Sequence, residues 1–199
     1  AQHEKLEVRQ KLGFNLYMEQ GQWQILGVGL AGLGSLGLAV PFVAHAEVYL
    51  SADDAAKLLL PNLKLARREL ELTPEQVEKI EAASGENVRN RKLTAYVGPK
   101  KEVVFVDQVI GKHEFITFAV GLGADGAVRG VEILEYRETY GGQVRHADWR
   151  QQFVGKNSQA KLKVESDIKN ISGATLSSVH VTGGVRRLIH TYEAVRASL

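Results

Sequence analysis

Residues 23–44 contain no formally charged side chain and are rich in Leu, Val, Ala and Gly. At about 1.5 Å per residue, a helix of this length is long enough to cross the roughly 30 Å hydrocarbon core of a membrane. Trp23, at the beginning of the stretch, suits the interface between lipid and water. The sequence therefore predicts a membrane segment over residues 23–46, preceded by a short N-terminal tail over residues 1–22.

The same stretch also permits cleavage. It ends in Ala44-His45-Ala46, an A-x-A pattern typical of a signal-peptidase site, which would leave a mature chain from Glu47. Its apolar run is longer than the usual signal-peptide core of about 7–15 residues, which favours a retained anchor. Under both interpretations residues 47–199 are exported. We expect an inner (cytoplasmic) membrane protein with its domain on the periplasmic side or, alternatively, a soluble periplasmic protein cleaved after Ala46.

The composition excludes several classes of function. The chain has no cysteine, which excludes disulfides, thiolate zinc sites, iron–sulfur clusters and covalently attached c-type haem. Its histidines and carboxylates show no metal-ligand spacing, so no metal site is predicted, and no catalytic residue is identified. The net charge is only +2 and the 25 basic residues are scattered, so no nucleic-acid partner is expected. The basic pairs Arg67-Arg68 and Arg186-Arg187 are interpreted as solvated helix faces.

Residues 47–199 contain the signals of one folded domain. Ser51 predicts the N-cap of a short helix that Pro61 ends. Residues 73–76 read Thr-Pro-Glu-Gln, the pattern of a capping box with proline at the first helical position, and Gly85 marks the end of that helix.

The remainder of the domain predicts an antiparallel sheet followed by helices. Strands rich in Val, Ile, Phe and Tyr are expected at 92–97, 102–109, 114–122 and 127–136. Helices are expected at about 147–154 and 177–197, the last with a core stripe of Val181, Val185, Leu188, Tyr192 and Val195. The predicted class is α+β, an antiparallel sheet packed with helices.

Residues 172–178 read Ser-Gly-Ala-Thr-Leu-Ser-Ser and lie at the predicted beginning of the last helix. Free backbone N–H groups and the positive end of a helix dipole attract a phosphate there. Gly173 and Ala174 allow close approach of the backbone, and the neighbouring Ser and Thr side chains offer hydroxyls. The physical argument leaves two interpretations open, a phosphate-binding site or simple capping of the helix.

The run from Ser172 to Ser177 resembles the S/T-G-A-T-x-S/T signature of the FMN-binding domain family, which includes the flavin-carrying subunits of sodium-pumping quinone reductases and Rnf-type complexes. The resemblance implies covalent FMN on Thr175, joined through a phosphoester bond by a flavin transferase that uses FAD as donor. It also implies cofactor contacts from the rest of the motif, namely Ser172, Gly173, Ala174, Leu176 and Ser177.

Two upstream segments extend the resemblance to about residues 90–195. Residues 138–142 read Glu-Thr-Tyr-Gly-Gly and are similar to the family's E-T-P-G-L-G loop near the flavin ring, which implies cofactor contacts from Glu138, Thr139 and Gly141. Trp149, Phe153, Gly155 and Lys156 resemble the W-x-x-x-F-x-G-K run that follows this loop. The alternative for Trp149 and Phe153 is plain core packing, since they lie one helical turn apart.

The sequence also departs from the family pattern. Tyr140 stands where the family usually has Pro, and Lys169 stands where an acidic residue often precedes the motif, with Asp167 two residues further away. A transferase that reads an acidic side chain would use Asp167 or none. These departures suggest a small stand-alone member of the family rather than a subunit of a pump.

Three further positions have two interpretations each. Arg137 could stabilise the negative charge of a reduced flavin, or pair with a neighbouring glutamate on the surface. His180 could touch the phosphate, or lie on the helix surface. The Gly183-Gly184 pair inside the last helix indicates close packing against the cofactor or the sheet, or a simple irregularity of the helix.

The resulting functional prediction is a flavoprotein electron carrier rather than an independent enzyme. Its expected partners are the modifying flavin transferase, the membrane, and membrane or periplasmic redox proteins. Two alternatives belong to other classes: an FMN-dependent reductase that acts directly on a small-molecule acceptor, and a flavin-free binding module that kept the fold.

Overall fold

A computed structural model describes residues 47–199 and two short strands nearer the N-terminus, β1 (Leu16–Glu19) and β2 (Gln22–Ile25), which pair antiparallel. The chain divides into two units, Ala1–Phe42 and Val43–Leu199. The predicted tail and membrane segment lie mostly outside the described residues, as does the Ala44-His45-Ala46 site; residues 23–25 belong to β2. Within the described part of the chain, no helix combines the length and the apolar character that crossing a membrane requires.

The second unit is an α+β domain, as predicted. Its sheet has the strand order β3-β8-β7-β6-β5-β4, with every neighbouring pair antiparallel. The strands are β3 (Glu47–Val48), β4 (Ala66–Glu71), β5 (Lys92–Val97), β6 (Val103–Ile110), β7 (Phe115–Leu122) and β8 (Val128–Tyr136). The helices are α1 (Ala52–Leu59), α2 (Pro74–Ser84), α3 (Ala147–Arg150) and α4 (Thr175–Val195), with short 3-10 turns at Gly142–Arg145, Gln151–Phe153 and Arg196–Ser198.

The predicted helix caps are confirmed. Ser51 Oγ accepts from the N–H of Asp54 at 3.1 Å, which caps α1. Thr73 and Gln76 form the reciprocal capping box of α2, and Gly85 ends that helix in the left-handed conformation, with φ +69°. Local side-chain chemistry therefore sets the ends of both helices.

The sheet lies between helices on its two faces. Alternate residues of the central strands point to opposite sides, so Phe105 and Phe118 pack in the larger core with α4, whereas Val104 and Ala119 pack with α1. The predicted stripe of α4 is buried along its whole length and lies in the larger core. This packing places the beginning of α4 beside the loops at one end of the sheet.

The sequence does not predict strands β3 and β4, and the interpretation of the basic pairs as solvated helix faces is wrong. β4 is an edge strand whose sequence, ARRELE, has no apolar alternation, and it carries Arg67 and Arg68 on a largely exposed surface. Arg186 and Arg187 do lie on a helix, but both form ion pairs, with Glu86 and Asp107. The Arg186 side chain is 22% exposed, whereas Arg187 is buried at 6%.

The Gly183-Gly184 pair allows α4 to approach its neighbours closely. A Cβ on Gly184 would lie 2.6 Å from Phe118 Cζ and 2.8 Å from Val109 Cγ1, and a Cβ on Gly183 would collide with the carboxylate of Glu86. The predicted packing against the sheet is therefore confirmed for Gly184, and neither glycine lines the cleft described next.

Candidate functional site

An open cleft of about 440 Å³ lies where three segments meet: the turn between β6 and β7, the loop after β8, and the beginning of α4. Its volume falls in the range of small-molecule and cofactor sites. The lining residues are Lys112, His113, Glu138, Thr139, Tyr140, Gly141, Gly173, Ala174, Thr175, Leu176 and Ser177. The structure thus brings together every residue predicted for the cofactor except Ser172, which is exposed and outside the lining.

The beginning of α4 has backbone N–H groups that are free to bind an acceptor. Ala174 is the N-cap and makes no side-chain cap hydrogen bond, and the first helical bond runs from the N–H of Ser178 to the carbonyl of Ala174 at 2.9 Å. Within the described residues, the backbone N–H groups of residues 175–177 have no protein acceptor. Gly173, with φ +81° and open space around its Cα, turns the chain into the helix.

The hydroxyls of the motif do not cap the helix, so the capping interpretation is wrong. Ser178 Oγ donates to the carbonyl of Ala174 at 3.0 Å, and buried Ser177 Oγ lies 3.0 Å from the hydroxyl of Tyr136. Thr175 is exposed at the first position of α4, and its Oγ1 accepts from Asn170 Nδ2 at 3.2 Å. The Thr175 hydroxyl therefore lies beside the free N–H groups and remains accessible from the cleft.

Gly141 joins the loop after β8 to the beginning of α4. Its φ is +92°, and a Cβ there would lie 2.5 Å from the Tyr136 hydroxyl and 2.8 Å from Ser177 Oγ. The Tyr136 hydroxyl also donates to the carbonyl of Tyr140. Burial raises the pKa of Tyr136 above its ordinary value, so the phenol stays protonated and keeps this donor.

Glu138 binds protein rather than pointing freely into the cleft. Its Oε1 accepts from the backbone N–H groups of His113 and Glu114, the latter at 3.0 Å. Burial alone would raise the pKa of Glu138, but these backbone donors lower it below its ordinary value. Glu138 thus fixes the turn between β6 and β7, which supplies Lys112 and His113 to the cleft.

The W-x-x-x-F-x-G-K run supports the segment that precedes the motif. Trp149 Nε1 donates to the carbonyl of Lys169 at 2.8 Å, and the Lys169 N–H donates to Gln152 Oε1 at 2.7 Å. Trp149 and Phe153 are also core residues in edge-to-face contact, with ring centroids 5.2 Å apart. The core interpretation of these two aromatic residues is confirmed, and Trp149 adds a hydrogen bond to it.

Asp167 is the centre of the same segment. Its carboxylate lies 3.1 Å from Lys156 Nζ and accepts the N–H groups of Leu162 at 3.0 Å and Lys163 at 2.8 Å. These donors lower the pKa of Asp167 against the opposing effect of burial. Asp167 does not line the cleft, and its observed role is to hold the loop before Thr175.

Two other positions have local partners. Arg137 forms a 2.7 Å ion pair with Glu135, as its surface interpretation predicted. His180 Nδ1 lies 3.1 Å from the carbonyl of Gly111, so this nitrogen is engaged by the β6–β7 turn. No metal-binding group of His, Asp and Glu side chains occurs in the described residues.

Sequence reasoning did not assign Lys112, His113 or Tyr136 to the site. Lys112 and His113 lie in a turn about 60 residues before the motif, and no local pattern connects the two segments. Tyr136 is the last residue of β8, directly before the predicted ring loop. That adjacency is the one signal from which its contact with Ser177 could have been suspected.

Comparison with known proteins identifies the same part of the chain as the cleft does. Residues 111–190 match the family model of the FMN-binding domain, and this segment contains every residue that lines the cleft. The chain is 28% identical over 167 residues to one of the subunits of the Na(+)-translocating ferredoxin:NAD(+) oxidoreductase complex of Acetobacterium woodii. That alignment covers 73% of this chain and 81% of the relative.

The chemistry of the cleft fits FMN. The free N–H groups at the beginning of α4 suit its phosphate, and the cleft provides both apolar side chains, Tyr140 and Leu176, and a cation, Lys112. The family match over residues 111–190 and the chemistry of the cleft therefore support an FMN-binding domain that resembles the flavin-carrying subunits of Rnf-type complexes.

Proposed function

We propose that this chain is an exported or membrane-anchored flavoprotein electron carrier, with FMN joined to Thr175 through a phosphoester bond. The observation that carries the proposal is the position of the Thr175 hydroxyl. It is exposed at the first position of α4, beside backbone N–H groups that have no acceptor in the described residues, and it lines the cleft of an FMN-binding domain.

In this arrangement the backbone of residues 175–177 binds the phosphate, and Gly173 lets it approach closely. Tyr140 is 82% exposed and Leu176 is 47% exposed, and both line the cleft, so they offer an apolar surface to the flavin ring. Lys112 supplies a positive charge. FMN, when bound, supplies reversible electron transfer, and the protein binds and orients it and sets its electrostatic surroundings.

A covalent bond suits a protein that works outside the cytoplasm, since a lost cofactor could not readily be replaced there. The relative from Acetobacterium woodii belongs to a Na(+)-translocating ferredoxin:NAD(+) oxidoreductase complex. By analogy, we place the redox partners of this chain among membrane or periplasmic proteins and expect residues 23–46 to serve as its anchor. A flavin transferase with FAD as donor would make the bond.

The test is to produce the full chain with and without a flavin transferase and to measure its intact mass and visible spectrum after denaturation. A mass gain of one FMN moiety, dependent on the transferase and lost in Thr175→Ala, supports the proposal. Ser172→Ala is the matched control, because Ser172 is an exposed hydroxyl of the same motif that does not line the cleft. Flavin retained by Thr175→Ala after denaturation would overturn the assignment. The same mass reports whether the chain begins at Glu47.

A further inference from the structure

Asn170 has an incomplete set of hydrogen bonds next to Thr175. Its Nδ2 donates to Thr175 Oγ1 at 3.2 Å. Its Oδ1 is out of contact with solvent and, among the residues that the structure describes, is the one buried side-chain oxygen or nitrogen without a hydrogen-bond partner. Because leaving such an atom unpaired costs about 1–3 kcal/mol, the position calls for an explanation.

The segment around Asn170 is held rigidly by other residues. Lys169, the preceding residue, is fixed at its carbonyl by Trp149 and at its N–H by Gln152. The carbonyl of Ile171, the following residue, accepts from the N–H of Ala174 at 2.9 Å. Since the backbone on both sides is already bound, the Asn170 amide is not needed to hold the loop, and its side chain is directed at the Thr175 hydroxyl.

An amide suits both chemical states of Thr175. The free hydroxyl carries a hydrogen and is oriented best by an acceptor, whereas the oxygen of a phosphoester carries none and can only accept. A half-turn of the Asn170 amide about its last side-chain bond exchanges Oδ1 and Nδ2 without changing its shape. The same residue can therefore accept from the hydroxyl before attachment and donate to the ester oxygen afterwards.

We propose that Asn170 is a positioning residue for flavin attachment at Thr175, an inference that rests on the proposed function. In the attachment step, Thr175 Oγ bonds to the phosphorus on the FMN side of FAD, and the bond between that phosphorus and the bridging oxygen of the pyrophosphate breaks. AMP leaves with the electron pair, and the hydroxyl proton passes to a base of the transferase. With its amide turned so that Oδ1 faces Thr175, Asn170 accepts the hydroxyl hydrogen until the base takes it, so that a lone pair of Oγ faces the phosphorus.

The experiment measures transferase-dependent attachment to the full chain by intact mass, at varied concentrations of the chain and with FAD in excess. Asn170→Ala is expected to lower kcat about tenfold, the effect of losing one hydrogen bond in the reacting state, with KM for the chain unchanged. Asn170→Asp keeps the shape and the acceptor, so it should restore most of kcat at neutral pH. Asn157→Ala is the matched control. Asn157 is equally half-buried, and its Oδ1 accepts only the N–H of Gln159 in a neighbouring loop.

The outcomes separate this inference from the proposed function. If wild-type chain gains no FMN, or if Thr175→Ala gains it equally, the proposed function itself fails. If wild type is modified and Asn170→Ala is modified at the same kcat, only the role of Asn170 is overturned. A parallel fall of kcat in Asn170→Ala and Asn170→Asp, with lower melting temperatures in both, also overturns it, because it would indicate a structural role. Rescue by Asn170→Asp alone supports it.

Discussion

The hydroxyl of Tyr136 lies 3.0 Å from Ser177 Oγ and joins the end of β8 to the beginning of α4. Because the Tyr136 hydrogen is donated to the carbonyl of Tyr140, the Ser177 hydroxyl is the donor between the two side chains. The Tyr136 phenol thus connects the loop after β8 to the beginning of α4, and Gly141 lies between them. The cleft is therefore a preformed feature of the domain.

The first prediction concerns Gly141→Ala. An alanine at this position would have to adopt the left-handed conformation, which costs about 1–2 kcal/mol of stability. Its Cβ would also collide with Tyr136 and Ser177, which costs about 1–3 kcal/mol more. We expect a lower free energy of unfolding in denaturant titration, together with slower flavin attachment to Thr175.

Gly155→Ala is the matched control for this change. Gly155 has a similar φ of +80°, but a Cβ there has nothing within 4 Å. It should show only the cost of the backbone conformation and should leave attachment unchanged. Equal effects of the two substitutions would mean that the contact of Gly141 with Tyr136 and Ser177 contributes nothing.

The second prediction concerns Glu138→Gln, which removes the charge that accepts from the β6–β7 turn. Glutamine keeps an oxygen acceptor but not its charge, and hydrogen bonds to a charged acceptor are stronger than those to a neutral one, so we expect a loss of about 1–2 kcal/mol at neutral pH. The pKa of Glu138 is lowered in the folded state from an ordinary 4.5. Its contribution is therefore fully present above pH 4.5 and is lost as the pH falls through the lowered value.

The difference in free energy of unfolding between wild type and Glu138→Gln should accordingly shrink below pH 4.5. It is measured by urea titration from about pH 2 to about pH 7, a range that includes the pKa values of carboxylates. Glu69→Gln is the control, since Glu69 forms an exposed ion pair with Arg67 at 3.6 Å and should change stability by less than about 1 kcal/mol. A difference for Glu138→Gln that stays constant down to pH 2 would contradict the role of its charge.

The third prediction concerns Asp167→Asn. This change removes the ion pair with Lys156 and weakens the acceptor of two backbone N–H groups, so we expect a loss of about 1–3 kcal/mol. Because Asp167 does not line the cleft, kcat for flavin attachment should be retained at temperatures where the variant is folded. A transferase that reads the Asp167 carboxylate would give the reverse result, lower kcat with stability unchanged. Lys156→Met should reproduce the loss of stability.

The sequence was sufficient wherever the determining interactions are local. The caps of α1 and α2 and the strands from β5 to β8 depend on neighbouring residues and on alternation of apolar side chains, and each was predicted to within about two residues. β4 could not be predicted, because an exposed edge strand keeps few apolar residues and ARRELE resembles the surface of a helix.

In the candidate site, too, local motifs could be identified from sequence, whereas contacts between distant segments could not. The motif around Thr175 and the loop at Glu138 could be identified from sequence, and the structure brings them into one cleft. Their actual partners are distant in sequence: Glu138 binds a turn 24 residues upstream, and Tyr136 meets a serine 41 residues downstream. Such contacts follow from strand order and helix packing, which no local pattern encodes.

The last prediction concerns Arg187→Met, which tests the corrected interpretation of the basic pairs. Arg187 is 6% exposed, binds Asp107 Oδ2 at 2.7 Å, and also donates to the carbonyls of Asn87 and Gln108. Methionine keeps most of the apolar stem and leaves the Asp107 carboxylate without its cation. Since removing one partner of a buried pair costs about 3–5 kcal/mol, and Asp107 retains some exposure, we expect about 2–4 kcal/mol.

Arg67→Met is the matched control on β4. The side chains of Arg67 and its partner Glu69 are 61% and 59% exposed, and the Arg67 guanidinium lies 3.6 Å from Glu69 Oε1. The expected cost there is below about 1 kcal/mol, because water and salt screen an exposed pair. Both free energies are measured by urea titration on the same domain. Comparable losses of stability at the two positions would contradict the difference between a buried and an exposed ion pair. They would support the original interpretation of Arg187 as a solvated residue.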